Sequence, residues 1–319
     1  MGEALMNNRG FQAGDEVFVR FPEEILATLD GDGTLDGIPF MPEMLDSCGK
    51  PFRVQRRVEK TCVDGYSMRR FPANDVVILD GPRCDGSGHD GCMHRCRIFW
   101  KEAWLQPANA AVPTTGISET GTEGLRARLK VKSDEQHYFC QSTELYKSTE
   151  AFPGKRRLLT VRIALREIRS GDLSVLRVSI LFARWILQKW LRAAGADERL
   201  RGSRKRTRNE ALNLQPGERV RVKSRPRITE TLNDDGRNRG LSICHEMTRC
   251  CGREAEVKDR VDRLINERTG LMVEISNTVT LKNIGGDKTL GDECLCKEEL
   301  GDCPRGELMY WREIWLERR

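Results

Sequence analysis

The segment QAGDEVFVR, beginning at Gln12, returns as QPGERVRVK at Gln215, 203 residues further on. The same displacement carries Thr28-Leu29 to Thr231-Leu232, Asp32-Gly33 to Asp235-Gly236, Glu43-Met44 to Glu246-Met247 and Cys48-Gly49 to Cys251-Gly252. It continues through Arg57-Val58 and Arg260-Val261 to Asn74 and Val76, matched with Asn277 and Val279. FWKEAWL at 99–105 then matches YWREIWL at 310–316 with a displacement of 211, so the second copy has about eight more residues before its tryptophans. Self-similarity of this kind marks a duplicated supersecondary unit and must be read before any local pattern. It divides the chain into an N-terminal cysteine-containing module at 11–107, a linker and helical middle region at 108–213, and a homologous C-terminal module at 214–319.

Within a module the pattern is α+β. GDEVFVR alternates as a strand leaving a glycine turn, and PEEILATL places Pro at a helix start with acidic residues in its first turn. PEMLDSCG reads as one or two helical turns ended by a glycine. FRVQRRV and DVVILDG are β-rich runs bounded by turn residues, and WKEAWL reads as a short helix bearing two tryptophans. The expectation is a pair of small mixed β-barrel-like modules. A glycine-opened GDxVxV strand also begins SH3-like barrels, an analogy resting on few residues.

The middle region divides in two. AVPTTGISETGTEG (111–124) lacks periodicity and is rich in Gly, Thr and Ser, the composition of a linker. LSVLRVSILFARWILQKWLRAA (173–194) has apolar residues at helical spacing, but Arg177, Arg184, Gln188 and Lys189 interrupt it, so no transmembrane segment is expected. Its amphipathic pattern suits a helix packed between the modules, or one lying on a membrane surface through Trp185, Trp190 and its arginines. The run RLRGSRKRTR (199–208) reads as a solvated linker. Contact with nucleic acid or anionic lipid is the alternative, although no stacking aromatics are interleaved with it.

Charge and compartment restrict the chemistry. Lys and Arg number 54 against 48 Asp and Glu, a formal net charge of +6 that permits an anionic partner without requiring one. The N-terminal sequence has no basic segment followed by an apolar one, and residue 6 is Met where N-myristoylation prefers Ser or Thr, so a cytoplasmic location is expected. Twelve cysteines in a reducing compartment point to metal binding or thiol chemistry rather than to disulfides.

Ligands of a duplicated site should recur. Cys48 recurs as Cys251, and Cys92, counted back from the tryptophans, as Cys303. The first module can assemble Cys48, Cys84, Cys92 and Cys96, and the second Cys251, Cys294, Cys296 and Cys303. Four thiolates suit a tetrahedral zinc site, while an iron–sulfur cluster or metal-free thiols remain alternatives. The segment CDGSGHDGCMHRC also offers His89 and His94. The second copy has no histidine in that loop, so His89 is a reserve ligand or a supporting hydrogen-bond donor. Cys62, Cys244 and Cys250 read as small buried hydrophobes. DGDGTLDG (30–37) lacks the ligand order of a calcium loop and is read as a turn. In HYFCQSTEL, Cys140 has His137 and Glu144 close in sequence, a candidate nucleophile if either acts on the thiol.

Taken together, GDEVFVRFPEEILATLDGDGTLDGIPFMPEMLDSCG, RCDGSGHDGCMHRCRIFWKEAWL, FCQSTEL and MYWREIWLERR resemble a bacterial tandem-repeat family associated with biosynthetic gene clusters. The resemblance covers both modules and part of the middle. It implies the two-copy layout and a setting beside other biosynthetic proteins, and it carries no activity. The expected function is metal binding, zinc before iron–sulfur, by a platform or accessory protein whose partner is another biosynthetic protein or a carrier-bound substrate. A thiol-dependent or iron–sulfur enzyme and a nucleic-acid-binding protein are the alternatives.

Overall fold

The computed structural model describes residues 10–63, 68–109, 118–151, 156–171, 173–193, 200–286 and 304–319. It is a mixed α and β structure with several antiparallel sheets. Two compact units are present. The first comprises Met1–Ala183 with Ile265–Met272 and Lys297–Arg305, and the second Arg184–Leu264 with Val273–Cys296 and Gly306–Arg319.

The first unit is built on a five-stranded sheet of β1 (Glu16–Val19), β2 (Pro51–Arg57), β3 (Val76–Leu79), β4 (Trp100–Lys101) and β5 (Leu105–Pro107). The order across the sheet is β4-β3-β2-β1-β5. In the second unit, β6 (Arg219–Val222), β7 (Glu254–Arg260), β8 (Thr278–Lys282), β9 (Tyr310–Arg312) and β10 (Leu316–Arg318) follow the corresponding order β9-β8-β7-β6-β10. Val17 faces Phe52 and Pro107, as Val220 faces Ala255 and Arg318. Alternation buries Val17 and Val19 in one strand and Val220 and Val222 in the other. No closed barrel forms among the described residues. The edge strands β4 and β5 are joined by a 3-10 turn at Glu102–Trp104, which carries the chain from one edge of the sheet to the other without pairing them. That turn also replaces the helix expected for WKEAWL.

The same side-chain couplings hold both sheets. Trp104 Nε1 donates to Thr28 Oγ1 at 3.1 Å, and Trp315 Nε1 to Thr231 Oγ1 at 3.0 Å. Both indoles are fully buried, so each needs such a partner for its N–H. Arg57 bonds the Phe11 carbonyl and the Glu102 carboxylate, as Arg260 bonds the Leu214 carbonyl and Glu313. Glu102 N donates to the Asp75 carbonyl, and Glu313 N donates to that of Asn277. This last pair corrects the sequence alignment: Asp75 takes the place of Asn277, a displacement of 202. The segment between β2 and β3 is therefore one residue longer than the one between β7 and β8, with the same strand order in both sheets.

Short helices flank the sheets. α1 (Pro22–Leu26) forms as its Pro and acidic first turn predict. Of the segment read as a linker, 111–117 lies outside the described residues and the remainder opens α2 (Glu119–Arg128), with Ser118 Oγ accepting from Gly121 N at its start. Its glycines lie against α1: a Cβ on Gly121 would come within 1.8 Å of Glu23, and one on Gly124 within 3.5 Å of Leu26. Close approach and burial of Leu125 overcome a poor helix composition. The basic run is likewise no free linker. Gly202 N and Arg204 N donate to the carbonyls of Asn233 and Leu232 within the second unit, and a Cβ on Gly202 would meet the Leu232 oxygen at 2.0 Å. Further on, α3 (Gln141–Glu144), α4 (Arg156–Arg169) and α5 (Val175–Ala193) follow in the middle region. Among the described residues, no helix is long and apolar enough to cross a membrane. α5 confirms the helical spacing but not the packed reading, since Leu176, Leu187 and Trp190 are exposed.

Candidate metal centre

The cysteine loop of the first unit is shaped by glycine. Cys84 N donates to the Cys96 carbonyl, closing the loop at its base, and both His89 N and Gly91 N donate to the Gly86 carbonyl. Gly86 has φ +77, and a Cβ there would lie 2.0 Å from the Cys92 oxygen. Gly88 approaches Pro42 so closely that a Cβ would come within 2.9 Å of its ring. Only glycine lets the loop fold back on itself and reach the 3-10 turn at Pro42–Ser47. That turn carries Glu43.

Glu43 Oε1 gathers three groups: His89 Nδ1 at 2.6 Å, Gly88 N at 3.2 Å and Cys84 Sγ at 3.6 Å. The Glu43 and His89 side chains are each 1% exposed. Glu43 Oε2 is buried and has no hydrogen-bond partner. Ligand atoms of Glu43, Cys84 and His89 all lie within 4.8 Å of one another, the one such group among the described residues. Burial alone would push the Glu43 carboxyl up. The hydrogen bond and charge of His89, helped by Gly88 N–H, outweigh it and hold the group below its ordinary value. The other ring nitrogen, His89 Nε2, faces the Phe139 carbonyl at 3.2 Å. This is the backbone hydrogen bond by which a metal-bound imidazole fixes its tautomer and orientation.

Further thiols surround the cluster. Burial pushes the Cys84 thiol strongly up, Glu43 adds to the effect, and Cys96 and Cys140 act in the same direction. Burial raises Cys96 to about 12 and Cys140 to about 11, and Cys140 further raises Cys96. Mutual repulsion of thiolates in a desolvated site disfavours their ionisation unless a cation is shared between them. Cys96 Sγ lies 3.4 Å from Ser142 Oγ. Arg305, itself within bonding distance of Ser142, pairs with Glu267. Cys92 lies beside this group and accepts from Ile265 N at 3.4 Å. Burial and the Arg305 charge push half-buried His94 down against the opposing pull of Glu267, favouring its neutral ring.

Of the cysteines read from the sequence as candidate donors, Cys84 is the one that the structure groups with Glu43 and His89 among the described residues. Cys48 is not brought to the loop: its thiol sits in the apolar core, directed at the Met44 carbonyl 4.0 Å away. Burial raises it to about 12, and the charged groups that act on it are Asp46, Glu23 and Lys50. It is a small core residue because its turn points inward. Cys140, 8% exposed, stands nearer the other thiols. His137 is bonded to Asp134 and Glu144 to Lys147, so neither serves as a base on the Cys140 thiol. Glu43 is not among the candidate donors read from the sequence, although it recurs as Glu246. In the second unit, Cys250 is buried, is raised to about 12 by desolvation, and feels Cys244 and Cys251. The half-buried Cys251 is raised by desolvation against Arg225. Cys294, Cys296 and Cys303 lie outside the described residues. No family model, curated protein or solved structure matches this chain.

Proposed function

We propose that the chain is a metal-binding accessory protein with a structural zinc site in its first unit, held by Glu43, Cys84 and His89 with Cys96 as the fourth donor. The observation that carries this reading is the buried Glu43 carboxylate, with one oxygen shared by an imidazole and a thiol and the other unpartnered. A buried carboxylate oxygen left without a partner costs about 1–3 kcal/mol, a cost that a bound cation offsets. Sulfur, nitrogen and oxygen donors suit zinc, whereas an iron–sulfur cluster calls for a set dominated by thiolates. The buried, protonated thiols favour a structural site over a thiol nucleophile.

In this reading the two halves are copies of one module, supported by their matching strand orders, Trp–Thr hydrogen bonds and Arg–Glu pairs. The strand order, with its 3-10 turn before the last strand, supports reading each module as an opened SH3-like one. Such paired modules form a platform for another biosynthetic protein or a carrier-bound substrate. Metal analysis of protein purified without chelators tests the site, together with cobalt substitution monitored by thiolate-to-cobalt absorption. Cys84→Ser is expected to abolish the absorption and Cys48→Ser to retain it. Folded wild type that takes up neither metal would overturn the site, and loss of uptake in Cys48→Ser alone would overturn the donor assignment.

A further inference from the structure

The zinc reading does not use α5. At about 100° per residue, Leu176, Ile180, Leu187 and Trp190 fall along one line of this helix, with Val175 and Ile186 beside it. All six are exposed, Leu176 by 71%, Leu187 by 59% and Trp190 by 74%. Val178 and Trp185, on the opposite line, are partly covered. The described side chains of that apolar side stand in water, as does Phe182. Arg177 and Arg184 occupy positions on one flank of that side and Lys189 a position on the other; α5 contains no carboxylate.

Charge identifies what covers this face. Residues 156–193 carry nine Arg and Lys against Glu167 and Asp172, a net charge of +7. The whole chain is only +6, so the remainder is −1. A second copy seated on α5 would bring the same positive region against itself. An anionic bilayer would meet the cations with phosphate groups while accepting the Leu, Ile and Trp side chains between its headgroups. We propose that α5 is an interfacial helix that docks the protein on an anionic lipid surface, lying in the plane of the membrane without crossing it.

Sedimentation of the full-length protein with phosphatidylglycerol–phosphatidylcholine vesicles, compared with phosphatidylcholine alone, tests the proposal. Binding is expected to be at least about tenfold stronger to the anionic vesicles and to fall with salt. Leu176→Glu/Leu187→Glu should abolish binding, and Arg177→Gln/Lys189→Gln should weaken it about tenfold. Both pairs are chosen at positions where circular dichroism should remain that of wild type. Equal binding to the two vesicle types, or no binding to either, would overturn the proposal. So would a wild-type dimer dispersed by Leu176→Glu/Leu187→Glu that never sediments with vesicles. Zinc content is measured in parallel, because its loss bears on Cys84 and its retention leaves α5 to be judged on lipid binding alone.

Discussion

The two five-stranded sheets share their framework and differ where the first unit places its cluster. Thr28 and Thr231 receive the same indole hydrogen bond, and Glu102 and Glu313 receive the same arginine. At the turn that carries Glu43, however, Pro42 precedes Glu43 where His245 precedes Glu246. Ser47 of the first copy is replaced by Cys250, a buried thiol within the second core. The two sheets thus have matching strand orders and Trp–Thr hydrogen bonds but different side chains at this turn. The first unit uses the turn to pair a carboxylate with an imidazole.

The strongest way to break this comparison is to remove its shared anchors. Trp104→Ala and Trp315→Ala should each cost about 3–5 kcal/mol in denaturant unfolding, since both indoles are wholly buried. A small loss at one and a large loss at the other would show that the sheets are not equivalent. A smaller difference should separate the arginine partners. Glu313→Ala, at a fully buried carboxylate beside Arg260, is expected to cost about 3 kcal/mol or more. Glu102→Ala should cost less, because that side chain is 20% exposed and water can replace part of the pair.

Acid titration sharpens the contrast at the turn. The folded Glu43 pKa lies below its ordinary value of 4.5, so its stabilising contribution is present above that pH and is lost as pH falls through the folded value. The stability gap between wild type and Glu43→Gln should therefore narrow in acid; a gap that widens would contradict the stabilising carboxylate–imidazole contact with His89. The smallest expected effect is that of Thr28→Val and Thr231→Val. Each should cost about 1 kcal/mol by removing the acceptor of a buried indole N–H, measured as equal shifts in the two unfolding profiles.

Much of the framework was legible because strand alternation and turn residues recur in register. Gly49 and Gly252 end their turns with positive φ, as the sequence pattern indicates. The site was only partly legible. The loop glycines and Cys84 drew attention to it, but recurrence as Cys251 favoured Cys48, and an acidic residue that recurs as Glu246 on a short helical turn gives no sign of the distant partner it meets. The linker reading failed at α2 for a related reason: its helix depends on glycines fitting against Glu23 and Leu26, an interaction absent from local propensity.

The sequence by itself determined the repeat, the strands and turns within it, the cationic amphipathic helix and the richness in thiols. These are properties of spacing and composition, expressed by neighbours along the chain. Only the tertiary structure decided that Cys48 enters a core while Cys140 lies near Cys84 and Cys96, that Glu43 meets His89, and that α5 keeps its apolar side exposed. Each depends on which side of a turn or helix faces a distant segment, and burial and electrostatic interaction are set by that meeting.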